Sequence, residues 1–281
     1  MLVQTMNAPR TRSWGAWLGG VLVILLLALT LLGPWLAPYD PTAVDVSQRL
    51  QGMSEAHWLG TDHLGRDVLS RLITGARLSL GTVVLTLCLI LTLGIVVGGV
   101  AGFIGGRLDT VLMRVGELFM TVPTFVLALF FIGVLGTGLS NVILAIALSH
   151  WAWYARMVRS LVISLRGRDY LLASRLAGAS RLQSFVSHIL PSVLGQLMVL
   201  ASLDIGHMML HVSGLSFLGL GVSPPTPEWG VMINDAKEFL WTHPQLLLWP
   251  GLMIFLTVMA FNLLGDALRD RLDPSLRTGG H

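Results

Sequence analysis

Six stretches of this chain are apolar over about 20 residues each, the length at which a helix crosses the hydrocarbon of a bilayer. They lie near Trp17–Leu36, Leu80–Ile104, Val115–Leu135, Leu139–Val158, Ile189–Met209 and Leu246–Leu264. The pattern predicts an all-α membrane protein of about six transmembrane helices. Composition agrees. Charged residues are 12% of the chain, against about 25% in a soluble domain, too few to cover a water-facing surface. Such sparse charge also argues against nucleic acid as a partner, which needs a dense basic face. The first run exceeds the roughly 7–15 residues of a signal-peptide core. Trp35, Leu36 and Pro38 stand where a small-residue cleavage site would be, so it reads as a permanent span.

An even number of spans returns both termini to one side. Thirteen of the 18 basic residues fall on that side, six of them arginines within residues 156–188. The positive-inside rule places both ends in the cytoplasm. The chain then divides into a cytoplasmic N-terminal segment (1–16), a transmembrane domain (17–264) and a cytoplasmic tail (265–281). Two long outer segments, 37–79 and 213–245, are punctuated by proline and glycine and read as loops suited to a docking partner. Cys88 stands alone, which excludes an internal disulfide and reads as a small buried hydrophobe.

The inner segment from about 159 to 190 is too polar to span. Leu171, Leu172, Leu176 and Leu182 recur near helical spacing among arginines. Two short helices meeting at Gly178 fit that pattern, since glycine permits the tight turn. Pro191 marks the next helix start. A short amphipathic helix of this kind either lies on lipid or docks into a groove of another protein.

Ionisable groups inside spans are costly and point to function. Asp204, His207, Met208 and His211 fall within an arc of about 100° on the fifth span. His207 and His211 are four residues apart, a workable spacing for two passing metal ligands. Asp204 can orient an imidazole or attract a cation. Buried histidines also serve simply to bond a neighbouring helix, and both readings stay open here. His150, beside Trp151 and Trp153, is a second pathway candidate. Arg114 and Glu117 form a local pair, and Met113 and Met120 are packing residues. His57, Asp62 and His63 sit in a glycine-rich loop that favours structure or docking over metal.

The inner segment resembles the loop by which ABC-importer permeases contact their ATPases. Ala173, Gly178, Leu190 and Pro191 match the pattern E-A-A-x3-G-x9-I-x-L-P; Leu172 replaces its Glu, Ser174 its second Ala, and His188 its Ile. Residues 57–72 (HWLGTDHLGRDVLSRL) and 213–236 (SGLSFLGLGVSPPTPEWGVMINDA) are similar to outer signatures of the C-type permeases of dipeptide, oligopeptide and nickel importers. Residues 149–166 and 204–222 are most similar to the nickel-import branch. The resemblance runs from about Trp35 to Pro274. It implies a type I importer permease paired with a second permease, two cytoplasmic ATPases and a periplasmic binding protein. It also implies ATPase coupling through Ala173, Gly178, His188, Leu190 and Pro191.

Asp62, Glu228 and Trp229 are expected to shape the surface that receives the binding protein, an aromatic anchor within a polar rim being suited to docking. The lone lysine, Lys237 in DAKEF, lacks the Gly-x4-Gly-Lys-Ser/Thr frame of a phosphate-binding loop. The chain is therefore expected to be no enzyme and to bind no cofactor, with ATP used by partner subunits. Nickel ion or a small nickel chelate is the expected cargo, with a di- or oligopeptide the alternative. A secondary transporter would need no docking loop and often shows inverted repeats, and none is visible. No H-E-x-x-H or G-x-S-x-G motif suggests a membrane-embedded enzyme.

Overall fold

The computed structural model describes residues 14–272, and among them every regular element is helical. Arg10, Arg12, Arg277 and most of the two terminal segments lie outside the described residues. Four helical runs are long and apolar enough to cross a membrane: Trp14–Leu36, Val68–Ile104, Arg181–Phe217 and Gln245–Asp270. The bent pair Gly106–Met120 and Thr124–Leu135, taken together, meets the same test of length and apolarity. The sixth helix, α5 (Leu139–Arg166), has the length to span but is more polar. It carries this polarity because it is enclosed: Ser149, Tyr154 and Ala155 are buried among neighbouring helices.

Helix α1 (Trp14–Leu36) lies on the outside of the bundle against α2 (Val68–Ile104) and α10 (Gln245–Leu272). Helix α2 is the axis of the fold. Its 37 residues rise about 55 Å, well beyond the roughly 30 Å of hydrocarbon. The extra length is at its start, where Val68 to Ser79 were expected to be loop. Asp67 caps this end, its carboxylate accepting from Ser70 N at 2.7 Å, and α9 (Trp229–Ala236) packs beside it. Further along, α2 and α5 pack with almost no gap. A Cβ on Gly94 would come within 2.6 Å of Tyr154 Cβ, and one on Gly102 within 2.9 Å of the Arg159 carbonyl oxygen. Cys88 faces outward from α2 and is exposed, contrary to expectation.

The third expected span is broken. Helices α3 (Gly106–Met120) and α4 (Thr124–Leu135) meet at 92° across Thr121–Pro123. Pro123 lacks an N–H and cannot continue a helix through this point. Helix α5 leads into the short helices α6 (Asp169–Leu176) and α7 (Arg181–Ser184), then a wide turn at Phe185–Ile189 and α8 (Leu190–Phe217). The first residues of the expected inner loop, 159–166, are thus the last two turns of α5. Helices α8 and α10 both outrun their expected ends, the latter by eight residues into the expected tail.

A cap closes the end of the bundle that holds residues 37–67 and 218–244. Its centre is α9 (Trp229–Ala236), set against α2, α8 and α10. Trp229 is fully buried and donates from Nε1 to the Leu72 carbonyl at 3.0 Å. Glu228 caps α9 by accepting from Val231 N at 2.9 Å and also accepts from the Ser79 hydroxyl at 3.0 Å. Arg66 and Arg71, both buried, bind the two lobes of the cap. Arg66 reaches Asp62 at 2.6 Å and Asp235 at 3.0 Å. Arg71 donates to the carbonyls of Pro41 and Pro225.

Candidate functional site

The polar residues of α8 meet those of α5 at a half-buried carboxylate. Asp204 Oδ2 accepts from the Tyr154 hydroxyl at 3.0 Å and lies 3.3 Å from His150 Nε2. Its other oxygen, Oδ1, is 3.6 Å from His207 Nδ1. The His207 side chain is 73% exposed while that of Asp204 is only 14% exposed, so the carboxylate is held from behind and the imidazole projects outward. His211 sits one turn on, its Nδ1 2.8 Å from the His207 carbonyl. That bond makes Nδ1 the protonated nitrogen and leaves Nε2 as the lone-pair side. The Phe125 ring of α4 lies 6.0 Å from this ring at a tilt of 52°, and Thr124 lies 3.5 Å from His150.

His207 and His150 thus approach Asp204 from two helices, and His211 follows one turn on along α8. Met208 does not join them. It is fully buried in the core, where α8 packs on α2 and α10. Among the described residues no group of three or more His, Cys, Asp or Glu side chains has the arrangement to hold a metal ion. The stripe of Asp204, His207 and His211 offers polar contacts in passing and no closed coordination sphere. Tyr154 and Thr124 escaped the sequence reading. A tyrosine four residues after His150 on one helix face was the available signal.

The inner loop has the expected layout. Gly178 adopts φ +95°, which a side chain would oppose. Ala173 accepts from Ala177 N at 3.0 Å to end α6, and Ser180 caps α7 by accepting from Gln183 N at 3.1 Å. Leu171 is buried and anchors α6, while Leu176 and Leu182 are 90% and 72% exposed. Two departures from the family pattern meet here: His188 Nε2 is 3.2 Å from the Ser174 hydroxyl. They tie the start of the α8 run to α6. Leu190 and Pro191 open α8 as expected.

The outer candidates are placed differently. Glu228 and Trp229 are fully buried and Asp62 nearly so. They hold the cap together from beneath and present nothing to a docking partner. Exposed apolar groups of this cap include Val46, Met53, Trp58 and Trp241. Burial pushes the Glu228 carboxyl above its ordinary range, against the backbone N–H groups of Gly230 and Val231, which pull it down. His57 is structural, lying 2.9 Å from Asp67 and 2.6 Å from Gln48. His63 stacks on Phe239 at 5.8 Å, and its burial lowers its proton affinity. Arg114 and Glu117 form their expected surface pair at 2.9 Å.

Residues 91–278 match the family described as the binding-protein-dependent transport system inner membrane component. Residues 11–52 match the N-terminal transmembrane domain of oligopeptide transport permease C. The chain is 60% identical over 273 residues to the nickel transport system permease protein NikC of Escherichia coli K12, covering 97% of this chain and 99% of that one. It is 42% identical to the di/tripeptide transport system permease protein DppC of Pseudomonas aeruginosa, over 92% of this chain and 88% of that one. It is 38% identical to the glutathione transport system permease protein GsiD of Pectobacterium atrosepticum, over 92% and 86%. With an all-helical, multi-pass bundle and a match over two thirds of its length, the chain belongs to the family of binding-protein-dependent transport system inner-membrane components.

Proposed function

We propose that this chain is the permease of a nickel importer, and that nickel ion or a small nickel chelate passes along the stripe of Asp204, His207 and His211 with His150 beside it. The observation that carries the pathway is the Asp204 carboxylate, pinned between α5 and α8 by Tyr154 and His150 with one oxygen left towards His207. A charge held at this depth is costly unless it faces protein or water. Fixed on one side and open on the other, the carboxylate attracts a cation and the imidazoles offer nitrogen donors as it moves past. An incomplete ligand set suits transit, because a pathway that bound tightly would not release. The 60% identity to a nickel permease over nearly the whole of both chains supports the cargo.

The machine is completed by a second permease, two ATPase subunits and a periplasmic binding protein. The chain itself supplies no phosphate-binding loop, so ATP is bound and hydrolysed by those partners. The termini and the α6–α7 loop lie in the cytoplasm, where the arginines concentrate. The exposed leucines of α6, Leu172 and Leu176, then meet an ATPase, and the cap with Trp58 and Met53 meets the binding protein. The peptide and glutathione permeases among the relatives favour a peptide cargo as the second reading. Uptake of labelled nickel and of a labelled dipeptide, in cells where this system is the only route for either, separates the two. Nickel uptake without dipeptide uptake is expected. Dipeptide uptake alone would overturn the cargo.

A further inference from the structure

A trough of about 540 Å³ runs between the last turns of α2 and the start of the α7–α8 run. Ile95, Val100 and Ile104 form one wall, Leu182, Phe185 and Leu190 the other. Its floor is Gly99, where a Cβ would come within 3.1 Å of the Phe185 ring. Among the described residues no helix covers it: Ile104 is 59% and Leu182 72% exposed. The trough follows α2 over ten residues, Ile95 to Ile104, about 13.5 Å of helix axis. That stretch belongs to a helix apolar enough to span the membrane. A water-soluble ATPase beneath the loop could meet the lower rim but not the depth at Ile95. Arg181, which lines the same trough, is exposed and has no carboxylate partner among the described residues.

The geometry points to a bound anionic phospholipid, with one acyl chain lying along α2 over Gly99 and its phosphate against the Arg181 guanidinium. An apolar slot parallel to a spanning helix matches the direction of an acyl chain. A single unpaired guanidinium at its mouth selects a headgroup of net negative charge, as basic pockets at the cytoplasmic ends of helices do. The lipid then bridges α2 and the loop between α6 and α8. It braces that loop against the bundle by filling space that no side chain occupies.

The test is lipid retention by the full-length chain in nanodiscs of equal phosphatidylglycerol and phosphatidylcholine, read by native mass spectrometry after ejection. The wild type is expected to keep phosphatidylglycerol several-fold over phosphatidylcholine. Arg181→Gln should remove the preference, and Gly99→Leu should remove the retained lipid. Equal retention of both lipids by the wild type, or an unchanged preference in Arg181→Gln, would overturn the proposal. A photo-reactive residue at Val100 in native membranes adds a check that does not depend on the variants folding. Crosslinks to lipid are expected, and crosslinks to a polypeptide would mean that a partner subunit fills the trough.

Discussion

Asp204 is the residue on which the site turns, and Tyr154 is what holds it. Tyr154 is fully buried and its hydroxyl makes a 3.0 Å bond to the carboxylate. Hydrogen bonds to a charged group contribute about 1.5–3 kcal/mol. Tyr154→Phe should therefore lower thermal stability in detergent by about 2 kcal/mol, with a smaller loss if Asp204→Asn is already present. Equal losses in both backgrounds would show that the two side chains do not interact. The sequence made the Asp204–His207–His211 stripe legible because helical spacing alone sets it. Tyr154 stood four residues after His150, but its bond to Asp204, 50 positions away, comes only from the packing of α5 on α8. The spacing misled at Met208. Met208 stands at one edge of the arc of about 100°, and that edge turns into the core.

At the scale of elements, the helices were visible as apolar runs, but their ends were not. The first three turns of α2 hold Arg71 and Ser79, which read as loop. They are helical and buried because α9 and the outer cap supply their partners. The bend at Thr121–Pro123 had a proline to announce it and was still passed over, because the apolar run continues through it. Glu228 is the cap residue with a measurable consequence. Burial raises its carboxyl, so the folded chain keeps this proton at a pH where the unfolded chain has lost it. Stability is fullest below the ordinary carboxylate range and declines as pH rises through the raised value. Glu228→Gln should flatten that decline in pH-dependent thermal unfolding, and a slope identical to wild type would assign it to other groups. For the inner loop, φ +95° at Gly178 makes the turn between α6 and α7 intolerant of a side chain. Gly178→Trp should leave the chain in the membrane with ATP hydrolysis by the assembled transporter uncoupled from uptake. Normal coupling in that variant would place the ATPase contact elsewhere.

For the whole molecule, the two ends of the bundle do different work. One is a rigid cap knit by Arg66, Arg71, Asp62 and Asp235, and the other is a loop of short helices with leucines turned outward. Between them a core of α2, α5 and α8 carries Asp204, His207 and His211 along α8. That division matches an importer in which cargo is delivered at one face, energy is applied at the other and the membrane is crossed beside Asp204. The most direct test of this account is the initial rate of labelled nickel uptake by cells relying on this transporter, compared at equal protein abundance. His207→Ala with His211→Ala should slow uptake several-fold, while Met113→Ala with Met120→Ala should leave it near wild type. A normal rate in the double-histidine variant would contradict the account and make these histidines helix-packing residues.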